Sequence, residues 1–298
     1  MNHKKITVVQ RMKNGFLSNK RPVLNLTYKN FDISLEDAVY RKIVIKTLQE
    51  TDRKNLLNTF LLINRLCMIF DGCFYDIDSV VFDDDDLVNI DDFCVLDYYK
   101  MHSDFYGGNL QLVNSGEALT TELLKNLTLI DEELLYPNNA FMYMTHIGGL
   151  PLDMRTAFLV ECYEPLAHYV SFKRNEVVPQ VSSNRSEPTL YDCLSYIINL
   201  YGGSIFNSEV MDGKLEYRIN QMKNNRHQLM HLRKDMKNKP LLNKNERITY
   251  SRKLHILYRH TLLHLMGFDV NIYTHRLTQC TTHWEKYLVS DQEDTHNG

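Results

Sequence analysis

Lys223-Asn224-Asn225-Arg226-His227-Gln228-Leu229-Met230-His231 is the polar end of the third of four helices predicted for the second half of the chain. That helix is expected from about Leu215 to Arg233. Helix one, from about Leu152 to Phe172, carries apolar Phe158, Leu159, Cys162, Leu166, Tyr169 and Val170, with Pro165 inside it to kink it. Ser186-Glu187-Pro188 signals the start of helix two, with proline in the first turn, and Tyr201-Gly202-Gly203 its end. Asn243-Lys244-Asn245-Glu246 resembles a capping box and opens helix four, apolar through Leu254, Leu257, Leu262, Leu265 and Met266 to Gly267. A shorter amphipathic piece follows over His275 to Val289. Four helices joined by polar loops predict a bundle.

Upstream of Gly148-Gly149-Leu150-Pro151 the texture differs. Strand-like runs occur at Ile6–Val9, Val23–Tyr28 and Arg41–Lys46, and again at Cys73–Tyr75, Val80–Phe82 and Phe93–Leu96. Between them Thr51-Asp52 offers an N-cap to a helix with Leu56, Phe60, Ile63, Cys67 and Phe70 at helical spacing, stopped by Asp71-Gly72. That helix is apolar over most of its circumference, so an interior position is expected. The predicted class is α+β: a strand-containing domain over residues 1–148, then an all-α bundle over residues 149–298.

The chain of 298 residues, 44% hydrophobic and 24% charged, fits a globular protein and excludes wholesale disorder. Its net charge of −3 conceals an asymmetry, because residues 1–150 hold 15 Lys/Arg against 21 Asp/Glu. Asp83-Asp84-Asp85-Asp86 lacks the alternating ligands, central glycine and closing glutamate of a calcium loop and reads as a solvated acidic loop. Six scattered cysteines show no zinc or redox spacing and read as reduced. With no secretory core after the N-terminus and no run of about 20 apolar residues, a cytoplasmic location without membrane contact is expected.

The basic charge concentrates in residues 214–259, which hold thirteen Lys/Arg and three Asp/Glu. Such a segment is the footprint of a phosphate-rich partner. At its centre stand Arg226 and, five residues on, His231, with polar His227 directly after the arginine. Cleaving RNA without a metal needs a proton acceptor for the ribose 2′-hydroxyl, a donor for the departing 5′-oxygen and a cation for the charge developing on phosphorus. Histidine titrates near neutrality, and arginine presents a permanently charged planar fork. On an ideal helix a five-residue step turns Arg226 about 140° from His231. A complete site is therefore expected from two such helices facing each other in a homodimer.

The arrangement resembles the HEPN superfamily of helical ribonucleases over roughly residues 150–270. Its motif is an arginine, a polar residue, a short spacer and a histidine at the end of the third bundle helix. Arg226, His227 and His231 match these positions. The resemblance also implies an acidic residue on an earlier helix in contact with the motif, for which Glu161 is the first match and Glu164 the alternative. The whole-chain layout looks like the ApeA-like proteins of bacterial antiphage defence, and Leu61-Leu62-Ile63-Asn64-Arg65-Leu66 leading into Phe70-Asp71-Gly72 is similar to a segment of their N-terminal half.

The resemblance implies an endoribonuclease effector of abortive infection. It would need no cofactor and no metal, with tRNA among its candidate RNA substrates. A phage-derived trigger would act on the N-terminal domain. Arg226, His231, His227 and Glu161 are the catalytic candidates, and Lys223, Arg233, Lys234, Lys237 and Lys239 the RNA-binding candidates. Two alternatives stay open. The first is a non-catalytic HEPN-like module that binds RNA or a protein. The second is a zinc site, since His227, His231 and Asp235 share one helix face and His260 and His264 form another i, i+4 pair. Arg226, Arg233 and Lys234 oppose a divalent cation there.

Overall fold

A computed structural model describes residues 2–11, 23–37, 40–72, 76–83, 86–87, 111–146, 151–181, 186–230 and 239–293. The chain divides into two compact units. The first comprises Met1–Gly107, Gln111–Ile130 and Thr145–Gly148; the second comprises Gly108–Leu110, Asp131–Met144 and Gly149–Gly298.

The first unit is built on a six-stranded antiparallel sheet of β1 (Asn2–Arg11), β2 (Val23–Tyr28), β3 (Phe31–Asp37), β4 (Tyr40–Asp52), β5 (Asp76–Phe82) and the two-residue β6 (Asp86–Leu87). Their order is β2-β3-β4-β1-β5-β6. Period-two alternation decides which side is buried. Ile6 and Val8 of β1, Ile33 and Leu35 of β3, and Ile43 and Ile45 of β4 turn inward. Lys42 and Lys46 of β4, in the intervening positions, are exposed. Helix α1 (Arg53–Asp71) packs against β1 and β4 and buries Leu56, Phe60, Ile63, Cys67 and Phe70. As expected, Asp52 caps it by accepting from the Asn55 N–H, and Gly72 ends it in the left-handed region at φ 70°. At the last residue of α1, the Asp71 carboxylate accepts from Arg41, Ser115 and Gln111, so this buried charge is fully partnered.

Several elements depart from the sequence reading. β3 is an additional strand, and a 26-residue helix, α3 (Thr121–His146), follows the four-residue α2 (Ser115–Ala118). The strand candidates at residues 73–75 and 93–96 lie outside the described residues, as do Asp84 and Asp85. Asp83 adopts a left-handed φ of 50° and accepts hydrogen bonds from the Lys4 and Lys5 N–H groups.

The second unit is helical: α4 (Leu152–Glu161), α5 (Tyr163–Arg174), α6 (Leu190–Tyr201), the short α7 (Asn207–Met211), α8 (Leu215–Met230), α9 (Lys244–Leu265) and α10 (Asn271–Glu293). The expected first helix is thus two helices with a break at Cys162. Pro165 supplies the reason: lacking an N–H, it cannot bond the carbonyl four residues back, which belongs to Glu161. The proline sits in the first turn of α5 rather than inside a kinked helix, and α4 ends on Glu161. Helix α6 starts later than expected, because Thr189 and Asp192 form the capping box and Pro188 stays outside it. The Asn243–Glu246 capping box opens α9 as the sequence predicts. The terminal helix α10 is longer than the amphipathic piece predicted over His275 to Val289.

The core of this unit gathers around α9, whose residues Leu254, Leu257, Tyr258 and Leu262 are fully buried. Tyr163 of α5 donates its hydroxyl to the Leu254 carbonyl, and Tyr258 donates to Asn138 Oδ1 at 2.7 Å. Cys162, Cys193 and Cys280 are free thiols, and burial pushes those of Cys162 and Cys193 up to about 12. Among the described residues no helix is long and apolar enough to cross a membrane.

Candidate nucleic-acid processing site

Helix α8 packs against both α4 and α6, and the second unit's candidate site forms where its last turns meet the end of α4. Arg226 reaches Glu161 through two parallel hydrogen bonds, Nε to Oε2 at 2.5 Å and Nη2 to Oε1 at 2.8 Å. This is the fork geometry that a guanidinium offers a carboxylate. The bonds to Glu161 raise the arginine's pKa, partial desolvation works against them, and the nearby Glu161 and Glu164 charges add to the rise. Arg226 therefore stays charged at every physiological pH. Its remaining edge carries Nη1, which lies 3.4 Å from His227 Nδ1.

Of the two acidic candidates, Glu161 makes the direct contact, and Glu164 acts on Arg226 through its charge alone. Arg226 and His227 are both half-buried, and Met230 just beyond them is exposed. His231, Arg233, Lys234 and Lys237 lie outside the described residues, as does Asp235. Lys239 is exposed. Lys223 donates to Asn220 Oδ1 at 3.0 Å, and its ammonium lies 5.6 Å from the centre of the Tyr191 ring.

The formal charge of residues 214–259 overstates the basic surface they form. Lys253 is fully buried between Glu209 and Glu285, and Arg259 is fully buried. Arg218 pairs with Glu246, and Arg252 lies over the Trp284 ring. Tyr250 is buried, with Lys253 and Arg218 over its ring. The exposed cations among the described residues of this segment include Lys214, Lys239 and Lys244.

Sequence reasoning missed a set of amides one turn behind Arg226. Gln221 Nε2 donates to the Leu241 carbonyl at 2.9 Å, Asn224 Nδ2 donates to the Pro240 carbonyl at 3.1 Å, and Asn225 Oδ1 accepts from the Leu242 N–H at 3.3 Å. The three side chains are buried. They fasten residues 240–242, the approach to α9, along the flank of α8. A signal existed: asparagine is a poor helix former, and two in succession inside a helix imply work for their side chains.

Two i, i+4 histidines on α9 are the other metal-like feature. The His260 and His264 rings are 4.6 Å apart, but His260 Nδ1 is engaged by the Tyr273 hydroxyl at 2.9 Å. Among the described residues no group of three His, Cys, Asp or Glu is disposed to hold a metal ion.

Residues 160–271, running from the end of α4 into α10, match the family model described as Apea-like HEPN. Over that stretch the chain is similar to the Apea-like HEPN family. Both partners of the Glu161–Arg226 pair fall inside the matched stretch, as do α5 to α9. Comparison with curated proteins and with solved structures returned no match.

Proposed function

We propose that the HEPN domain is a metal-independent endoribonuclease and that it serves as an effector of antiphage defence. The observation that carries this reading is the Arg226 guanidinium. It is held in register by Glu161 and kept charged, with its other edge beside His227, on the turn of α8 that leads to His231. A fixed, permanently charged fork is suited to the charge that builds on a phosphate undergoing in-line attack. His231 transfers the protons: it takes one from the ribose 2′-hydroxyl as that oxygen bonds to phosphorus, and one is returned to the departing 5′-oxygen. The products then carry 2′,3′-cyclic phosphate and 5′-hydroxyl ends. Glu161 and His227 position the arginine. Lys223, Arg233, Lys234, Lys237 and Lys239 bind the RNA backbone. The active species is a homodimer that pools Arg226 and His231 from two copies, and the first unit, in the cytoplasm of an infected cell, senses the trigger.

The test is cleavage of total cellular RNA by purified protein in EDTA, wild type against Arg226→Ala and His231→Ala. Wild-type protein should cut and both variants should lose most activity. Products with 5′-phosphate ends whose formation stops in EDTA would refute the mechanism.

A further inference from the structure

A cavity of about 500 Å³ opens between α6, the start of α8 and the loop that follows α5. Its volume falls within the range of small-molecule sites. Tyr191, Ser195 and Asn199 of α6 line one side, Gln180 the loop side, and Glu216 and Ile219 the α8 side. The loop is built rather than slack. Asp192 accepts from the Val181 N–H at 3.0 Å while its other oxygen serves the capping box at Thr189, so one buried carboxylate ties the loop to the helix start. Ser195, half-buried, sets its hydroxyl beside the Tyr191 phenol and hydrogen-bonds with it.

The chemistry of the walls narrows the occupant. An aromatic ring, a hydroxyl and two carboxamides suit a flat, neutral, polar heteroaromatic group, which stacks on one face and hydrogen-bonds at its edge. Glu216 at the α8 side disfavours a phosphate inside the cavity. Cations stand farther along the same helix: Lys223, with its ammonium over Tyr191, and then Arg226. From Ile219 to Arg226 is two turns of α8, about 10 Å. A base seated in the cavity would leave its own strand's phosphates leading toward Lys223 and Arg226.

We propose that this cavity receives one base of single-stranded RNA and so sets the position of the strand relative to Arg226. The site's placement rests on the ribonuclease reading above, whereas its affinity for a base does not.

The experiment titrates the full chain with the four 5′-ribonucleotides and with ribose 5-phosphate by calorimetry, in wild type, Tyr191→Leu, Asn199→Ala and Arg226→Ala. Circular dichroism confirms that each variant is folded. At least one nucleotide should bind where ribose 5-phosphate does not. Tyr191→Leu should weaken that binding by roughly tenfold or more, Asn199→Ala by several-fold, and Arg226→Ala by less than twofold. Asn199 is exposed, so its variant keeps the test open if the Tyr191 change perturbs the fold. Equal binding of ribose 5-phosphate, or nucleotide binding that ignores both Tyr191→Leu and Asn199→Ala, would overturn the proposal. Nucleotide binding with the expected variant pattern in a protein that cleaves no RNA would sustain the base site and refute the ribonuclease reading. RNA cleavage with no nucleotide binding would do the reverse.

Discussion

Arg226 and Glu161 stand 65 residues apart in sequence and meet through two parallel hydrogen bonds, because Pro165 stops α4 at the glutamate. The pairing orients the arginine more than it stabilises the fold. Glu161 is 40% exposed in its side chain, and a pair so placed contributes about 1 kcal/mol or less. Glu161→Gln should therefore leave the urea midpoint nearly unchanged while lowering RNA cleavage about tenfold or more. Arg226→Lys should cost more activity still, since an ammonium keeps the charge but cannot hold Glu161 bidentately and face phosphate with its other edge. Full activity in Arg226→Lys would show that only the charge matters.

Lys253 is the residue whose loss should unfold the second unit first. It is fully buried, donates to Glu209 at 2.6 and 2.8 Å and to Glu285 at 2.6 Å, and so joins α7, α9 and α10. Removing the ammonium strands two carboxylates in a poorly solvated site, at a cost of about 3–5 kcal/mol. Lys253→Met should lower the stability measured in urea by that amount. The triple variant Lys253→Met, Glu209→Gln, Glu285→Gln should recover part of it. A single variant as stable as wild type would mean that water reaches the cluster.

What the sequence disclosed follows from where the physics is local. The ends of α1 and α9 are set by side chains three residues from the backbone groups they serve, and Asp52, Gly72 and the Asn243–Glu246 box read directly. The helix α3 hides because its stabilisation is tertiary. Pro137 and Asn138 read as breakers, and Leu134 does leave helical dihedrals at φ −108°. Yet Asn138 is retained by a bond to Asp131 Oδ1 at 2.7 Å and one from the Tyr258 hydroxyl, 120 residues away. Strand β3 is different: Phe31, Ile33 and Leu35 alternate with Asp32, Ser34 and Glu36 in plain view, but the run is short and acidic. At the candidate site, the residue types of Arg226 and Glu161 were legible through the family resemblance. Their meeting required knowing that α4 ends where Pro165 compels it.

The amides behind Arg226 should behave as a fastening of the α9 approach. Asn224→Ala deletes the bond to the Pro240 carbonyl and Gln221→Ala the bond to Leu241. Each should cost about 0.5–1.5 kcal/mol. Because both grip the same three-residue segment, the double variant should cost less than the sum, the non-additivity expected of neighbours with a shared partner. Urea unfolding of the two singles and the double measures this. Strict additivity would show that the segment is held elsewhere.

Acid should destabilise the second unit through buried histidines that fold uncharged, His255 and His260 foremost. Burial pushes His255 well below its usual value of 6.5, with the Arg259 and Arg155 charges adding to the effect. Burial and the neighbouring His264 take His260 down to about 3. The Tyr273 phenol, itself held protonated by burial, sits 2.9 Å from His260 Nδ1 and leaves that ring no reason to charge. In the unfolded chain each histidine binds a proton near pH 6.5, whereas the folded chain declines it until far lower pH. Between these limits the unfolded state carries the extra protons, so stability is complete above about pH 6.5 and falls as the pH drops toward about 3. The slope approaches ~1.4 kcal/mol per pH unit for each histidine. Urea titrations between about pH 7 and pH 4.5 should show the decline, and His260→Gln should remove one histidine's share of the slope even if its stability at pH 7 is lower. An unchanged slope in that variant would mean that His260 takes up its proton in the folded protein as readily as in the unfolded chain.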